Sequence, residues 1–340
     1  MTVRHYLRLS RAGLAPFTAL PWVVGARGAA EFALLAAGGL LLHAYACKVN
    51  DLADLEADRS APARQTSPLV TGAVTPIRMT WWVLIELLVL AAGCAALPRE
   101  PWTAAGLLAV LALTTWGNFF QKTSRQVPPL IVDHLFGIAV AAPLVLTGGP
   151  VWLALALWLH MVVVNVTVGG IKDLEGDIRA QARTSVRALG VRRMDGRLVL
   201  PLRYRAYVIL VQTASAAALF PAGPAPFALA VASTAGLVVA LHRQPHSGPT
   251  PVRRVLRDAG FVVGNTGVFL AGVLAFMPPR WGIPAVAVVV AAFALTAAPL
   301  IRAARSRPAA RARRAVTAAG AAHAARPGPS KPRSRRDKCR

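Results

Sequence analysis

The feature that most constrains this chain is a series of long apolar stretches separated by short polar segments. A helix needs about 20 predominantly apolar residues to cross a bilayer. Ten stretches qualify, and Pro16 and Pro21 should kink the first or delay its start. The pattern predicts an all-α, polytopic membrane bundle of about nine or ten transmembrane helices. The stretches are 9–26, 30–49, 79–97, 102–120, 130–146, 151–171, 204–220, 226–241, 260–276 and 283–301.

The lysines and arginines predict how these helices cross the membrane. If the N-terminus is cytoplasmic, all but three of the 38 basic residues lie in cytoplasmic segments, the exceptions being Arg27, Arg99 and Arg280. Cytoplasmic loops of membrane proteins carry such an excess. We therefore predict an integral membrane protein with both termini on the cytoplasmic side, and we expect the membrane to be a bacterial plasma membrane and any functional site at these loops to be cytoplasmic. The same bias explains the net charge of +24 without a nucleic-acid partner.

The end of the chain differs in composition from the rest. Residues 303–340 are largely alanine, arginine and proline, with no apolar periodicity. We interpret them as a basic, disordered cytoplasmic tail that can attract anionic membrane lipid. Residues 1–302 are interpreted as one transmembrane domain.

The chain has only 14 acidic residues, and half of them form two clusters at the cytoplasmic ends of the second and sixth predicted spans. At 100° per residue, Asp51, Asp54 and Asp58 fall within an arc of about 60° if the segment is helical. Asp173 and Asp177, four residues apart, also share a face, whereas the glutamates of both clusters point away. The spacing predicts that the five aspartates converge at one membrane face.

Five convergent carboxylates repel one another at the edge of a low-dielectric medium, so cations must compensate them. Carboxylate oxygens suit Mg²⁺, which usually binds through one or two carboxylates together with substrate phosphates. Nearby basic side chains can then meet the remaining phosphate oxygens. These are Lys48, Arg59, Arg64, Lys122, Lys172 and Arg179. The alternative is that the aspartates are solvated acids at helix ends, paired with arginines.

The two acidic segments resemble the paired motifs of the UbiA superfamily of intramembrane prenyltransferases. Residues 50–58 read N-D-L-A-D-L-E-A-D and match N-D-x-x-D-x-x-x-D, while residues 172–177, K-D-L-E-G-D, are similar to the D-x-x-x-D motif. The order is also that of the family, one motif after the second helix and one after the sixth. The resemblance implies a helical bundle around a central cavity that opens sideways to the bilayer. It implies a prenyl diphosphate and a hydrophobic or aromatic acceptor as substrates, with no obligate protein partner evident.

The resemblance also implies roles for individual residues. The metal ligands for Mg²⁺ are Asp51, Asp54, Asp58, Asp173 and Asp177. The catalytic residues are Asn50, Asp54 and Asp58, of which Asn50 positions a carboxylate or phosphate oxygen and the aspartates serve the metal or the acceptor proton. The diphosphate is bound by Lys122, Arg64, Lys172, Arg59 and Asn118.

Two of these assignments follow departures from the family pattern. The family often has Tyr-Asn-x-x-x-Lys after the fourth helix, and here Gly117 replaces the tyrosine before Asn118 and Lys122. The family's Arg-Pro-Leu downstream of the first motif is Ser-Pro-Leu at residues 67–69, so Arg64 is expected to take over the phosphate contact.

Two other functions remain open at this point. A terpene cyclase would keep the fold but capture the carbocation with an internal alkene, and it would need no acceptor. A transporter is disfavoured because its charges would lie near the membrane midplane, whereas these acids lie at helix ends.

Glu86, inside the third predicted span, is the most anomalous of the other acids, and at that depth it should face the bundle interior and could contact substrate.

Replacing Lys122 tests whether the loop after the fourth predicted span binds phosphate. Lys122→Gln removes the charge but keeps hydrogen-bonding capacity, so we expect a higher KM for the prenyl diphosphate and a lower kcat. A charge-assisted hydrogen bond contributes about 1.5–3 kcal/mol, so kcat/KM should fall by about one to two powers of ten. Arg125→Gln is the matched control. Small and equal losses in both variants would show that the loop only sets topology.

Overall fold

The computed structural model of the chain describes residues 2–11, 15–60, 64–96, 100–120, 126–194, 197–243, 273–277 and 282. These residues form twelve α-helices and one antiparallel hairpin. The helices are α1 (Val3–Leu9), α2 (Ala15–Val23), α3 (Ala29–Ala53), α4 (Leu55–Ser60), α5 (Pro76–Ala96), α6 (Pro101–Phe120), α7 (Pro129–Leu146), α8 (Val151–Val164), α9 (Gly170–Arg179), α10 (Ser185–Ala188), α11 (Leu202–Ala218) and α12 (Pro224–Arg243). The strands are β1 (Arg192–Met194) and β2 (Arg197–Val199).

The first eight predicted spans each contain a helix, and the helices follow in the predicted order. Within the described ranges, five helical segments are long and apolar enough to cross a membrane, and the apolar segments Val151–Thr167 and Pro224–Val239 are shorter. The mostly helical, membrane-type architecture is therefore confirmed. The last two predicted spans and the tail lie outside the described residues, apart from 273–277 and 282, so the count of nine or ten helices stays a prediction.

The structure corrects the sequence analysis at the first span and in one loop. The first span is not one long helix, because α1 ends at Leu9, the chain turns, and α2 covers only Ala15–Val23 with Pro21 inside it. After the second acidic motif, β1 and β2 pair with Arg192 opposite Val199, in a segment where we predicted no strand. This hairpin is the one departure from an all-α fold among the described residues.

Helices adjacent in sequence pack together, as α2 does on α3 and α7 on α8, and α8 also packs on the more distant α11. Their inner faces are apolar and fully buried, as at Leu144 on α7 and Leu153 on α8. Other faces keep large apolar side chains exposed, and Ile77 and Trp81 on α5 are examples. Apolar exposure of this kind is what a lipid-facing helix surface requires.

The second acidic motif is carried on a helix that changes its winding. Residues 151–179 form one helical run in which a π-helical segment, Asn165–Gly169, joins α8 to α9. The side chain of Asn165 donates a hydrogen bond to buried Asp133 on α7, which fixes the π segment against the neighbouring helix. Such segments insert one extra residue and often mark functional sites. Asp173 and Asp177 follow on α9.

The first motif is divided between two helices, which corrects the assumption of one continuous helix. Helix α3 ends at Ala53, Asp54 caps it, and α4 begins at Leu55. Helical hydrogen bonding nevertheless persists across the break, because the amide of Asp54 bonds to the carbonyl of Asn50 at 2.9 Å and that of Asp58 to Asp54 at 2.8 Å. The aspartates therefore keep nearly helical spacing.

The close packing of α7 on α8 gives a test of the fold. A Cβ at Gly137 would lie 2.6 Å from both the Cδ1 and the carbonyl oxygen of Trp158, and the backbone atom cannot yield. We expect Gly137→Ala to destabilise the protein by about 1–3 kcal/mol through overpacking, seen as a lower Tm in detergent. Gly236→Ala on α12, where a Cβ meets nothing within 4 Å, is the control and should be neutral or slightly stabilising.

Candidate active site

The two acidic motifs lie at the same end of the bundle. Helix α4, which carries the end of the first motif, packs against α9, which carries the second. The carboxylates of Asp51 and Asp173 both act on the guanidinium of Arg11. The structure therefore places the two motifs at the same end of the bundle, with Arg11 paired to Asp51 and influenced by Asp173. The convergence of all five aspartates stays a prediction.

Arg11 is the residue that sequence reasoning missed. Its Nη2 lies 2.8 Å from Asp51 Oδ1 in an ion pair. Burial opposes the charge, but Asp51 and, more weakly, Asp173 raise the pKa of the guanidinium above its ordinary value. The residue lies in the turn between α1 and α2 with a φ of 45°, in the left-handed region, which costs a non-glycine residue about 1–2 kcal/mol. In the sequence it was counted only as a topology-setting charge, and nothing in the local pattern distinguishes it from Arg8.

Arg64 connects the two ends of the first motif. Its Nη1 lies 3.8 Å from Asp51 Oδ1, and its Nε lies 3.4 Å from Asp58 Oδ1. The side chain is 25% exposed. The single guanidinium of Arg64 therefore lies between Asp51 and Asp58. A cation bound by these two aspartates would occupy the same position.

The structure also places four other predicted site residues, which are Asn50, Asp177, Arg59 and Asn118. Asn50 donates a hydrogen bond from Nδ2 to Asp54 Oδ2 at 3.3 Å, which fixes that carboxylate. Asp177 is buried, and Arg59 is exposed beside Asp58. Asn118 uses its Nδ2 within α6, on the carbonyl of Thr114 at 2.8 Å.

Two predicted phosphate-binding lysines cannot be placed by the structure. Lys122 lies outside the described residues. Lys172 is on α9, directly before Asp173, but its side chain is outside what the structure describes. Their assignments stay predictions.

Lys48 does not take the position predicted for it among the phosphate-contacting bases. It is 0% exposed, and its Nζ forms an ion pair at 2.8 Å with Glu86 Oε1, which is on α5. Glu86 faces the bundle interior, as its depth predicted, but it contacts Lys48 rather than an open cavity surface. The same Nζ donates to Ser10 Oγ at 3.0 Å and lies 4.1 Å from the centre of the Tyr6 ring.

The donor set is chemically suited to Mg²⁺ but does not form a closed metal cage. Among the described residues, no group of three or more His, Cys, Asp or Glu side chains could hold a metal ion by itself. Mg²⁺ usually needs only one or two protein carboxylates, because water and substrate phosphates complete its octahedron. Two aspartate pairs with arginines between them therefore fit Mg²⁺ shared with a diphosphate.

Comparison with known proteins relates most of the chain to one family. The family model of the UbiA prenyltransferase family matches residues 14–249. A 4-hydroxybenzoate octaprenyltransferase of Albidiferax ferrireducens is 28% identical over 177 residues, which are 51% of this chain and 58% of that protein. A protein of the same name from Burkholderia ambifaria is 29% identical over 164 residues, 46% of this chain and 55% of its own. The chain thus spans little more than half the length of these curated relatives.

Solved structures show the same fold at low sequence identity. A UbiA homologue from Archaeoglobus fulgidus bound to GPP and Mg²⁺ has a TM-score of 0.57 and 17% identity, over 78% of this chain and 99% of that one. A digeranylgeranylglyceryl phosphate synthase also has a TM-score of 0.57, with 14% identity, over 81% and 98%. An apo UbiA homologue from Aeropyrum pernix K1 has a TM-score of 0.53 and 19% identity, over 83% and 98%.

The buried Lys48–Glu86 pair gives a stability test. Lys48→Met alone leaves Glu86 buried without its counter-charge, which should cost about 3–5 kcal/mol and lower the Tm in detergent. Lys48→Met combined with Glu86→Leu removes both charges and should recover most of that loss. Arg78→Met, at an exposed position on α5, is the control. A double variant as unstable as the single one would mean that the charges are not coupled.

Proposed function

Because the chain belongs to the UbiA prenyltransferase family, we propose that it transfers a prenyl group from a prenyl diphosphate to a hydrophobic or aromatic acceptor. The observation that carries the proposal is the packing of α4 against α9, which brings the two aspartate motifs to one end of an apolar helical bundle, where Arg11 pairs with Asp51. The names and ligands of similar proteins support it. The Archaeoglobus homologue binds GPP or DMAPP with Mg²⁺, and two bacterial relatives are named for 4-hydroxybenzoate.

The site would lie on the cytoplasmic side of a bacterial plasma membrane in this proposal. The support is the charge distribution, since all but three of the chain's 38 lysines and arginines lie in the segments predicted to be cytoplasmic, and both motifs lie in these segments. Water-soluble diphosphate would reach the motif end of the bundle, and the prenyl chain would lie among the apolar helices.

Asp51, Asp54, Asp58, Asp173 and Asp177 are the proposed Mg²⁺ ligands. When bound, Mg²⁺ would neutralise the diphosphate and make it a better leaving group. The structure already has the matching charges in contact: Asp51 is paired with Arg11 and Arg64, and Asp58 with Arg64. In this proposal Mg²⁺ would bind the aspartates of these ion pairs, and the diphosphate would bind the arginines.

The arginines released from the aspartates would bind the diphosphate. Guanidinium groups match phosphate oxygens with two parallel hydrogen bonds, and Arg11 and Arg64 already lie beside the aspartates. Lys122, Lys172, Arg59 and Asn118 are the further diphosphate-binding residues. Together these charges would stabilise the negative charge that develops on the leaving oxygen.

Prenyl transfer requires the chain to keep water away from the carbocation and to accept a proton from the acceptor. The allylic C–O bond breaks with its electron pair going to the diphosphate, and an electron-rich acceptor atom attacks the prenyl carbon. The apolar helix faces exclude water that would quench the cation. The acceptor then loses a proton, and Asp54, which Asn50 holds by a hydrogen bond, or Asp58 is the proposed carboxylate that receives it.

The proposal is tested by neutralising one aspartate in each motif. Asp51→Asn and Asp173→Asn should each lower turnover about 100-fold or more, because each removes charge that the metal-bound diphosphate needs. EDTA should do the same to the wild type. Turnover is measured by mass spectrometry of membranes supplied with geranyl diphosphate and 4-hydroxybenzoate, and then with a panel of both substrate types.

Glu56→Gln is the matched control, since Glu56 lies in the first motif but is exposed. It should keep near wild-type turnover. Full turnover in EDTA would refute the proposed chemistry. A cyclised product from the prenyl diphosphate alone would instead identify a terpene cyclase.

A further inference from the structure

The short helix α1 makes its polar contacts with a buried ion pair and with the first acidic motif. The Tyr6 hydroxyl donates to Glu86 Oε1 at 2.6 Å, and the Tyr6 ring lies over Lys48 Nζ. Ser10 Oγ accepts from the same Nζ at 3.0 Å. The next residue, Arg11, forms the ion pair with Asp51. Helix α1 is thus bound at its middle and at its end.

The contacts are in register along α3. Lys48 and Asp51 are three residues apart and lie on one face of that helix. Ser10 and Arg11 are consecutive, so Ser10 meets Lys48 and Arg11 meets Asp51. A shift of α1 along α3 would separate both pairs at once. The register of α1 therefore determines where the Arg11 guanidinium lies.

Apolar packing alone does not set this register. Leu9 is the one α1 side chain in its apolar cluster, among Leu69, Val74 and Met79, and the large side chains Val3 and Leu7 are exposed. Arg8 contributes only an exposed hydrogen bond to Thr66 at 2.9 Å. The Tyr6 ring also packs edge-on against Trp82, with 6.0 Å between ring centroids, and the hydrogen bonds to Lys48 and Glu86 add the directional contacts that this packing lacks.

The Tyr6–Glu86 bond is well placed for this role. Glu86 is 4% exposed, and its Oε2 has no hydrogen-bond partner in the part of the chain that the structure describes. The carboxylate is therefore held through Oε1, by Lys48 and Tyr6. Burial and the adjacent Glu86 raise the pKa of the Tyr6 hydroxyl, so it stays protonated and remains a donor.

We propose that Tyr6 is a positioning residue, whose bond to Glu86 fixes α1 on the buried Lys48–Glu86 pair and thereby holds Arg11 against Asp51 of the first aspartate motif. The left-handed backbone at Arg11 agrees with this, because such a conformation persists only where surrounding contacts enforce it. The catalytic consequence rests on the proposed function, but the positioning does not.

The experiment is a double-mutant cycle of Tyr6→Phe and Arg11→Gln. Tyr6→Phe removes one hydroxyl and keeps the ring over Lys48. With geranyl diphosphate and Mg²⁺, we expect it to raise the KM for the diphosphate about tenfold while the KM for the acceptor stays unchanged. Arg11→Gln should show the same pattern with a larger loss. In the Arg11→Gln background, Tyr6→Phe should add less than about twofold, because residues that act through one another are not additive.

Hydrogen exchange provides a second readout that does not depend on activity. The amides of Ser10 and Arg11 bond to the carbonyls of Tyr6 and Arg8, at 2.9 and 3.3 Å. Tyr6→Phe should speed exchange of these amides about tenfold while α7 and α8 are unaffected. Arg8→Gln is the matched control on the same helix and should change neither the exchange nor the KM.

Each result decides the proposal. Unchanged exchange at residues 10 and 11 in Tyr6→Phe overturns it, whatever the kinetics. Equal losses from Tyr6→Phe in both backgrounds would also overturn it, since Tyr6 would then act on general stability and not through Arg11. If the wild type transfers no prenyl group to any acceptor, the proposed function fails, and the exchange measurement alone decides the positioning of α1.

Discussion

Carboxylates that meet at the rim of an apolar bundle need positive charge between them. Asp51 and Asp58 are both buried, and Coulomb repulsion between buried acids is little screened. Arg64 lies between these two, and Arg11 pairs with Asp51 and is also attracted by Asp173. The break after α3, the short α4 and the reversal at Ser10 and Arg11 all bring acids and arginines within reach of one another. The proposed chemistry uses the same property, because a surface of alternating acid and arginine can take up a cation and an anion together.

The position of both motifs at one end of the bundle could be predicted because it depends only on helix geometry and on a membrane. Residues three, four or seven apart share a helix face, and the apolar stretches place both motifs at one end of the bundle. The exposure of Glu56 follows from the same arithmetic. The break at Asp54 was not predicted, since N-D-L-A-D-L-E-A-D has neither proline nor glycine to signal it.

Contacts distant in sequence could not be predicted. Arg11 reaches Asp51 across 40 residues, and Tyr6 reaches Glu86 across 80. Both contacts depend on how α1 packs against α3 and α5, which the local sequence does not encode, and Arg11 adopts a left-handed conformation that its residue type does not signal. Lys48 was misjudged for a related reason: its position one turn before the aspartates suggested phosphate, but Glu86 on a neighbouring helix neutralises it. Sequence periodicity predicts which side chains share a helix face, whereas tertiary packing determines which side chains of other helices they contact.

The π-helical segment between α8 and α9 has a consequence for how the two halves of this long helix can vary. An α-helix turns 100° per residue, so one inserted residue rotates everything beyond it by about that angle. The direction of Asp173 and Asp177 around the helix axis is thereby offset from that of α8, whose contacts with α7 and α11 are fixed by its own buried face. A change of one residue in segment length would re-aim the two carboxylates at once and leave the packing of α8 intact.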